Sequence, residues 1–145
     1  MINYQIYLAG GMCNLSLEEQ TKWRDTICSD LHTYNNFNHN SKYNLNILKP
    51  TDFYNFENVE YKSQKEVMKF DLNLVRNSDL IIVNFNDPKS IGTAMELFLA
   101  NENHIPVIGL NEENKELHPW LIECCTRICD TYDELIEHIE RFYLY

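Results

Sequence analysis

The sequence predicts an α/β domain in which a parallel sheet carries helices on both faces, and three observations lead there. Short apolar runs closed by turn residues alternate along the chain with longer segments of helical spacing. Two of those segments open on a hydroxyl residue followed three positions later by glutamate, the signature of a capping box. Three of the four glycines fall where a strand is expected to hand over to a helix. With right-handed crossovers the resulting βαβ alternation makes a parallel sheet, and ligands of such sheets sit beyond the carboxyl ends of the strands.

The first strand is expected over Gln5-Ile6-Tyr7-Leu8-Ala9, closed by Gly10-Gly11. A helix follows, capped by Ser16 with Glu19, its inner face marked by Trp23, Ile27 and Leu31. Residues 33–46 hold six asparagines and no apolar period, so a polar loop is expected there. Asn46-Ile47-Leu48-Lys49 reads as a second strand stopped by Pro50, and residues 61–77 have helical spacing through Val67, Met68, Leu72 and Val75. Leu80–Phe85 is the clearest strand, being β-branched and apolar. A buried helix over residues 92–101 and a strand over residues 105–108 come next. A last strand is placed at residues 126–129, and Thr131 with Glu134 opens the C-terminal helix.

The 145 residues suit one domain, residues 1–145, and the formal net charge of −10 argues against a binder of nucleic-acid polymers. No apolar run approaches the ~20 residues of a membrane span. Residues 1–5 lack a secretory signature, and five cysteines, an odd number, suit a reducing compartment. A cytoplasmic protein is expected. Cys124, Cys125 and Cys129 with His118 match no common zinc spacing, so no metal is assigned.

The chemistry concentrates at the strand ends. Gly10, Gly11 and Gly92 form either a ligand cradle or ordinary turns; neither GxGxxG nor a P-loop is present. Glu96 is a lone carboxylate in the apolar segment opened by Gly92 and Thr93, where a helix N-terminus would keep it ionised. First-turn glutamates are common for the same electrostatic reason. Asp71 lies beside the apolar face of its helix, where a carboxylate needs a partner: a neighbouring helix end, Arg76, or a ligand. Tyr7 looks into the same crevice if its side chain faces that way. Two carboxylates aimed at one strand end are the kind of pair that glycosyl transfer uses.

These residues resemble a family. Ile6–Gly11 is similar to the opening strand of the nucleoside 2-deoxyribosyltransferases, and residues 71–79 to their central segment. Ser90-x-Gly92-Thr93-x-x-Glu96 looks like their nucleophile motif. The resemblance implies a doubly wound, Rossmann-like sheet of about five strands and a retaining double displacement that needs no cofactor. It makes Glu96 the nucleophile at C1′, Asp71 the proton donor and acceptor for the base, and Tyr7 the group that holds Glu96. Gly10, Gly11, Asp87, Ser90, Gly92 and Thr93 would line the substrate. Serine at position 90, where many transferases have a base-reading aspartate, is similar to the related 2′-deoxynucleoside 5′-monophosphate N-glycosidases, in which it holds the phosphate. Asp87 then stands as a displaced base reader. The loop Gly11-Met12-Cys13-Asn14 lacks the arginine some of those hydrolases carry. The implied partners are a nucleoside or its 5′-monophosphate, a free base or water as acceptor, and a second copy of the chain. In the family such a copy completes the site from its C-terminal part, here near His118, Pro119 and Trp120. A non-catalytic nucleotide-binding module is the alternative from another class.

Overall fold

The computed structural model describes residues 1–53 and 63–145. Five strands, β1 (Ile2–Gly10), β2 (Tyr43–Leu48), β3 (Leu80–Asn84), β4 (Val107–Leu110) and β5 (Arg127–Cys129), form one parallel sheet in the order β2-β1-β3-β4-β5. The helices are α1 (Leu17–Phe37), α2 (Gln64–Arg76), α3 (Ile91–Glu102), α4 (Pro119–Cys124) and α5 (Tyr132–His138). A short turn of 3-10 helix, Pro50–Asp52, follows β2, and a π-helical turn, Ile139–Tyr143, follows α5. Among the described residues no helix is long and apolar enough to cross a membrane.

Alternation along β1 divides the core. Ile6 and Leu8 point to the layer of α1 and α5, where they meet Ile27, Leu31, Ile82, Leu135 and Ile139. Tyr7 and Ala9 point to the opposite layer, with Val75 of α2 and Leu97 and Ala100 of α3. Strand β1 pairs with β2 from Ile2 to Tyr7 and with β3 from Ile6 to Gly10, in register Ile6↔Leu80 to Gly10↔Asn84. The strand order reverses between β1 and β3, so the crevice of the doubly wound sheet opens over the ends of these two strands.

Several expectations change. The segment 33–46 is helix up to Phe37 and strand from Tyr43, leaving only residues 38–42 as a connection. Its asparagines work as internal clamps: the Asn35 side chain is buried, donates to the Tyr43 carbonyl (3.1 Å) and accepts from the Ser41 hydroxyl (2.6 Å). Strand β2 therefore begins at Tyr43, three residues before the expected start at Asn46, supported by the Tyr4–Tyr43 ring contact at 4.9 Å. The expected helix at 61–77 is α2 from Gln64 onward; residues 61 and 62 lie outside the described residues. Ser16 and Glu19 complete their capping box, whereas Glu134 turns its carboxylate to the Asp130 amide (3.2 Å), so Thr131 caps α5 without the reciprocal bond. Helix α4, one and a half turns behind Pro119, carries too short a pattern to be read from periodicity.

Candidate active site

A cavity of about 610 Å³ opens at the carboxyl end of the sheet, over β1 and between α2 and α3. Each element contributes for a local reason. Strand β1 ends at Gly10, where a Cβ would stand 2.7 Å from the Trp23 ring and 3.3 Å from the Arg24 guanidinium. At Gly11 a Cβ would stand 2.6 Å from that of Asp87. Neither glycine has positive φ; close approach of α1 and of the loop after β3 is what requires them. Ser90 caps α3, its Oγ accepting from the Thr93 amide (3.3 Å) and from the Thr93 hydroxyl (3.0 Å). At Gly92 a Cβ would meet nothing within 4 Å, because the first turn of α3 faces the open cavity.

Inside the cavity Tyr7 and Glu96 meet. The fully buried Tyr7 donates its hydroxyl to Glu96 Oε2 across the β1–α3 junction. Burial, reinforced by the charges of Glu96 and Asp71 and by that hydrogen bond, drives the phenol well above its ordinary range, so it is a donor at any working pH. Desolvation pushes the Glu96 carboxyl up to about 7, and the negative charge of Asp71 adds to the rise; the Tyr7 bond and the positive charge of Arg24 oppose it. This reverses the expectation that a helix N-terminus keeps Glu96 ionised. Helix α3 starts at Ile91, so Glu96 lies beyond its first turn, and the partial charge of a helix end fades over that distance. Asp71 projects from α2 into the same cavity, half-buried, among the apolar side chains of Val67, Met68 and Leu72.

The cavity brings together Tyr7, Gly10, Asp71, Asp87, Ser90, Gly92, Thr93 and Glu96. Gly11 does not line it; it is buried behind the wall against Asp87. Asp87 accepts weakly from the Lys89 amide (3.4 Å), and its own carbonyl receives the Ser90 amide (3.1 Å), which shapes the loop into α3. Arg24 is the residue that sequence reasoning missed. It is 1% exposed, lines the cavity, and is the only charged side chain fully buried among the described residues. The spacing Arg24, Ile27, Leu31 lies on one helical stripe, and that was the available signal. Among the described residues no three His, Cys, Asp or Glu side chains converge in a way that would hold a metal.

The sequence profile described as "nucleoside 2-deoxyribosyltransferase like" matches residues 3–114, which span every element from β1 to β4 and all of the cavity-lining residues. The chain belongs to that family. Its membership makes it an enzyme that acts on N-glycosidic bonds. Solved structures of similar fold include a 2-deoxyribosyltransferase from Bacillus psychrosaccharolyticus, at 18% identity over 91% of this chain and 90% of that one, with a TM-score of 0.69. A conserved protein from Enterococcus faecalis V583 superposes with a TM-score of 0.76 at 16% identity, covering 95% of this chain and 98% of that one. The CMP N-glycosidase of Clostridium botulinum does so at 0.56 and 19% identity, covering 95% and 99%. At such identities these likenesses concern the fold, a single α/β domain with a five-stranded parallel sheet. No curated protein sequence matches the chain significantly.

Proposed function

We propose that this member of the nucleoside 2-deoxyribosyltransferase-like family moves 2-deoxyribose between bases by a retaining double displacement through a glycosyl-Glu96 ester. The observation that carries the reading is the Tyr7 hydroxyl donated to Glu96 Oε2 in a cavity that Asp71 also lines. One oxygen of Glu96 is held by the phenol, which leaves the other to attack C1′. The C1′–N bond breaks with its electron pair going to the base, and the Asp71 carboxyl delivers the proton there, directly or through water. In the second half the incoming base loses its proton to Asp71 and attacks C1′, expelling the Glu96 carboxylate. A carboxylate out of water is the stronger nucleophile, and the apolar wall of Val67, Met68 and Leu72 gives a base a surface to lie on.

A second reading, hydrolysis of 2′-deoxynucleoside 5′-monophosphates, is favoured by the rim of the cavity. Ser90 accepts both of its hydrogen bonds from Thr93, so its own O–H remains to be donated, and the exposed Lys65 and Lys89 stand at the same mouth. Phosphate there would lie at the N-terminus of α3. Water would then replace the acceptor base. For either reading we also infer a homo-oligomer: Ile91, Met95 and Phe98 form an exposed apolar stripe on α3, 77%, 43% and 58% accessible, and Trp120 on α4 is 78% accessible. His118, Pro119 and Trp120 would reach the partner's site from that side.

The test is incubation with deoxynucleosides and their 5′-monophosphates, with and without free adenine, beside Glu96→Ala, with base release followed by chromatography. Base exchange that disappears in the variant supports the transferase. Release from monophosphates alone supports the hydrolase. Absence of turnover with every substrate refutes both.

A further inference from the structure

Arg24 donates three hydrogen bonds to backbone carbonyls inside the fold. Its guanidinium sits under the end of β1, donating from Nε to the Leu8 carbonyl (3.1 Å) and from Nη2 to the Gly10 carbonyl (3.3 Å), the two carbonyls that bracket Ala9 on the strand carrying Tyr7. Nη1 donates to the Gln20 carbonyl on its own helix (2.6 Å), and Trp23 lies over the guanidinium with 4.5 Å from Cζ to the ring centroid. The absent Cβ of Gly10 is what makes room for both side chains. Three of five N–H groups are thus spent on fixing the strand end and the helix to each other.

Among the described residues the same group is the buried positive charge of the site. Facing it are Tyr7 from β1, Asp71 from α2 and Glu96 from α3, each of which stabilises the guanidinium charge, while burial draws its ordinary value down to about 10. An arginine of that kind stays protonated through the working range. Among the described residues it is the only buried positive charge that faces the two carboxylates and the phenol.

We propose that Arg24 is a positioning residue of this site: its fork locks the carboxyl end of β1, and its charge offsets the Glu96–Asp71 pair so that the nucleophile is available ionised. The proposal rests on Glu96 being the nucleophile. Lysine supplies the charge without the fork, and methionine supplies neither, so two substitutions separate the two halves of the role.

The test titrates Glu96 by carboxyl NMR in protein with labelled glutamate, assigned by difference from Glu96→Gln, in the wild type, Arg24→Met and Arg24→Lys, beside kcat/KM as a function of pH. In Arg24→Met the Glu96 midpoint should rise by about one pH unit. The pH-dependent part of kcat/KM then falls about ninefold at pH 6 and by less than about a tenth at pH 9. In Arg24→Lys the midpoint should stay near that of the wild type while kcat falls about fivefold or more at every pH with little change in KM. A folded Arg24→Met protein whose Glu96 midpoint and acidic limb do not move overturns the charge role. An Arg24→Lys enzyme as fast as the wild type overturns the fork. If Arg24→Met does not fold, Arg24→Gln takes its place with the same expected shift. Wild-type protein without turnover refutes the nucleophile reading separately, since the Glu96 titration still decides whether Arg24 governs it.

Discussion

Replacing Glu96 with glutamine should stabilise the protein while abolishing its chemistry, and the gain should depend on pH. The carboxyl is pushed from an ordinary 4.5 up to about 7 in the fold, first by desolvation. Between those values the folded protein keeps a proton that the unfolded chain has released. Stability therefore falls as pH rises through this window, and the penalty is complete above about pH 7 and absent below 4.5. At about 1.4 kcal/mol per pH unit the full penalty is about 3 kcal/mol, a sizeable share of the 5–15 kcal/mol typical of a domain. Glutamine never carries the charge, and its amide oxygen can still accept from Tyr7, so about 2–3 kcal/mol should be recovered at pH 8 and under about 1 at pH 5. Urea unfolding of both proteins at the two pH values measures this, and groups remote from Glu96 cancel in the difference. A surface glutamate would change stability by about 0.5 kcal/mol or less at either pH. Equal stability differences at pH 5 and pH 8 would refute the argument that burial, at the site of the proposed nucleophile, raises this carboxyl.

The neighbours of Glu96 should move its titration in opposite directions. Tyr7→Phe removes a bond to the carboxylate, so the acidic limb of the pH–rate profile should move up by about one pH unit; Asp71→Asn removes a negative charge and should move it down. A substrate whose leaving group needs no proton keeps Asp71→Asn active enough to read, whereas an ordinary base should be released about 100-fold more slowly. The glycines should part company in thermal unfolding: Gly11→Ala places a Cβ 2.6 Å from that of Asp87 and should cost about 1–3 kcal/mol, while Gly92→Ala meets nothing and should be neutral or gain about 0.5 kcal/mol. Ser90→Ala loses the cap of α3, worth about 1 kcal/mol. If the enzyme takes monophosphates, its KM for them should rise about tenfold in steady-state assays with no change for nucleosides.

How much of this was legible depends on whether a residue's role is local. The apolar runs of the core strands and the Ser16–Glu19 box are set by neighbours in sequence and fall in the elements expected of them, although β2 begins at Tyr43 rather than Asn46 and β4 runs Val107–Leu110 rather than over 105–108. Likewise Tyr7, Asp71, Asp87, Ser90, Gly92, Thr93 and Glu96 meet in one cavity because all lie at the carboxyl end of one sheet, a consequence of topology alone. What escaped depends on contacts across the chain. The asparagines of 33–46 look like loop until Asn35 is seen clasping Tyr43 and Ser41. Gly11 looks like a cradle until the loop after β3 is seen pressing Asp87 against it. Arg24 looks like solvated helix because arginine is rarely buried, and only the arrival of the Leu8 and Gly10 carbonyls makes its burial tolerable. The same long-range packing decides the electrostatics. Position in α3 suggested an ionised Glu96, but the layer formed by β1, α2 and α3 removes water from it, and desolvation of a carboxylate outweighs the fading influence of a helix end more than a turn away. The candidate groups that line the cavity were thus legible in the sequence, while their protonation is a property of the fold, which is why the informative experiments here are titrations rather than losses of activity.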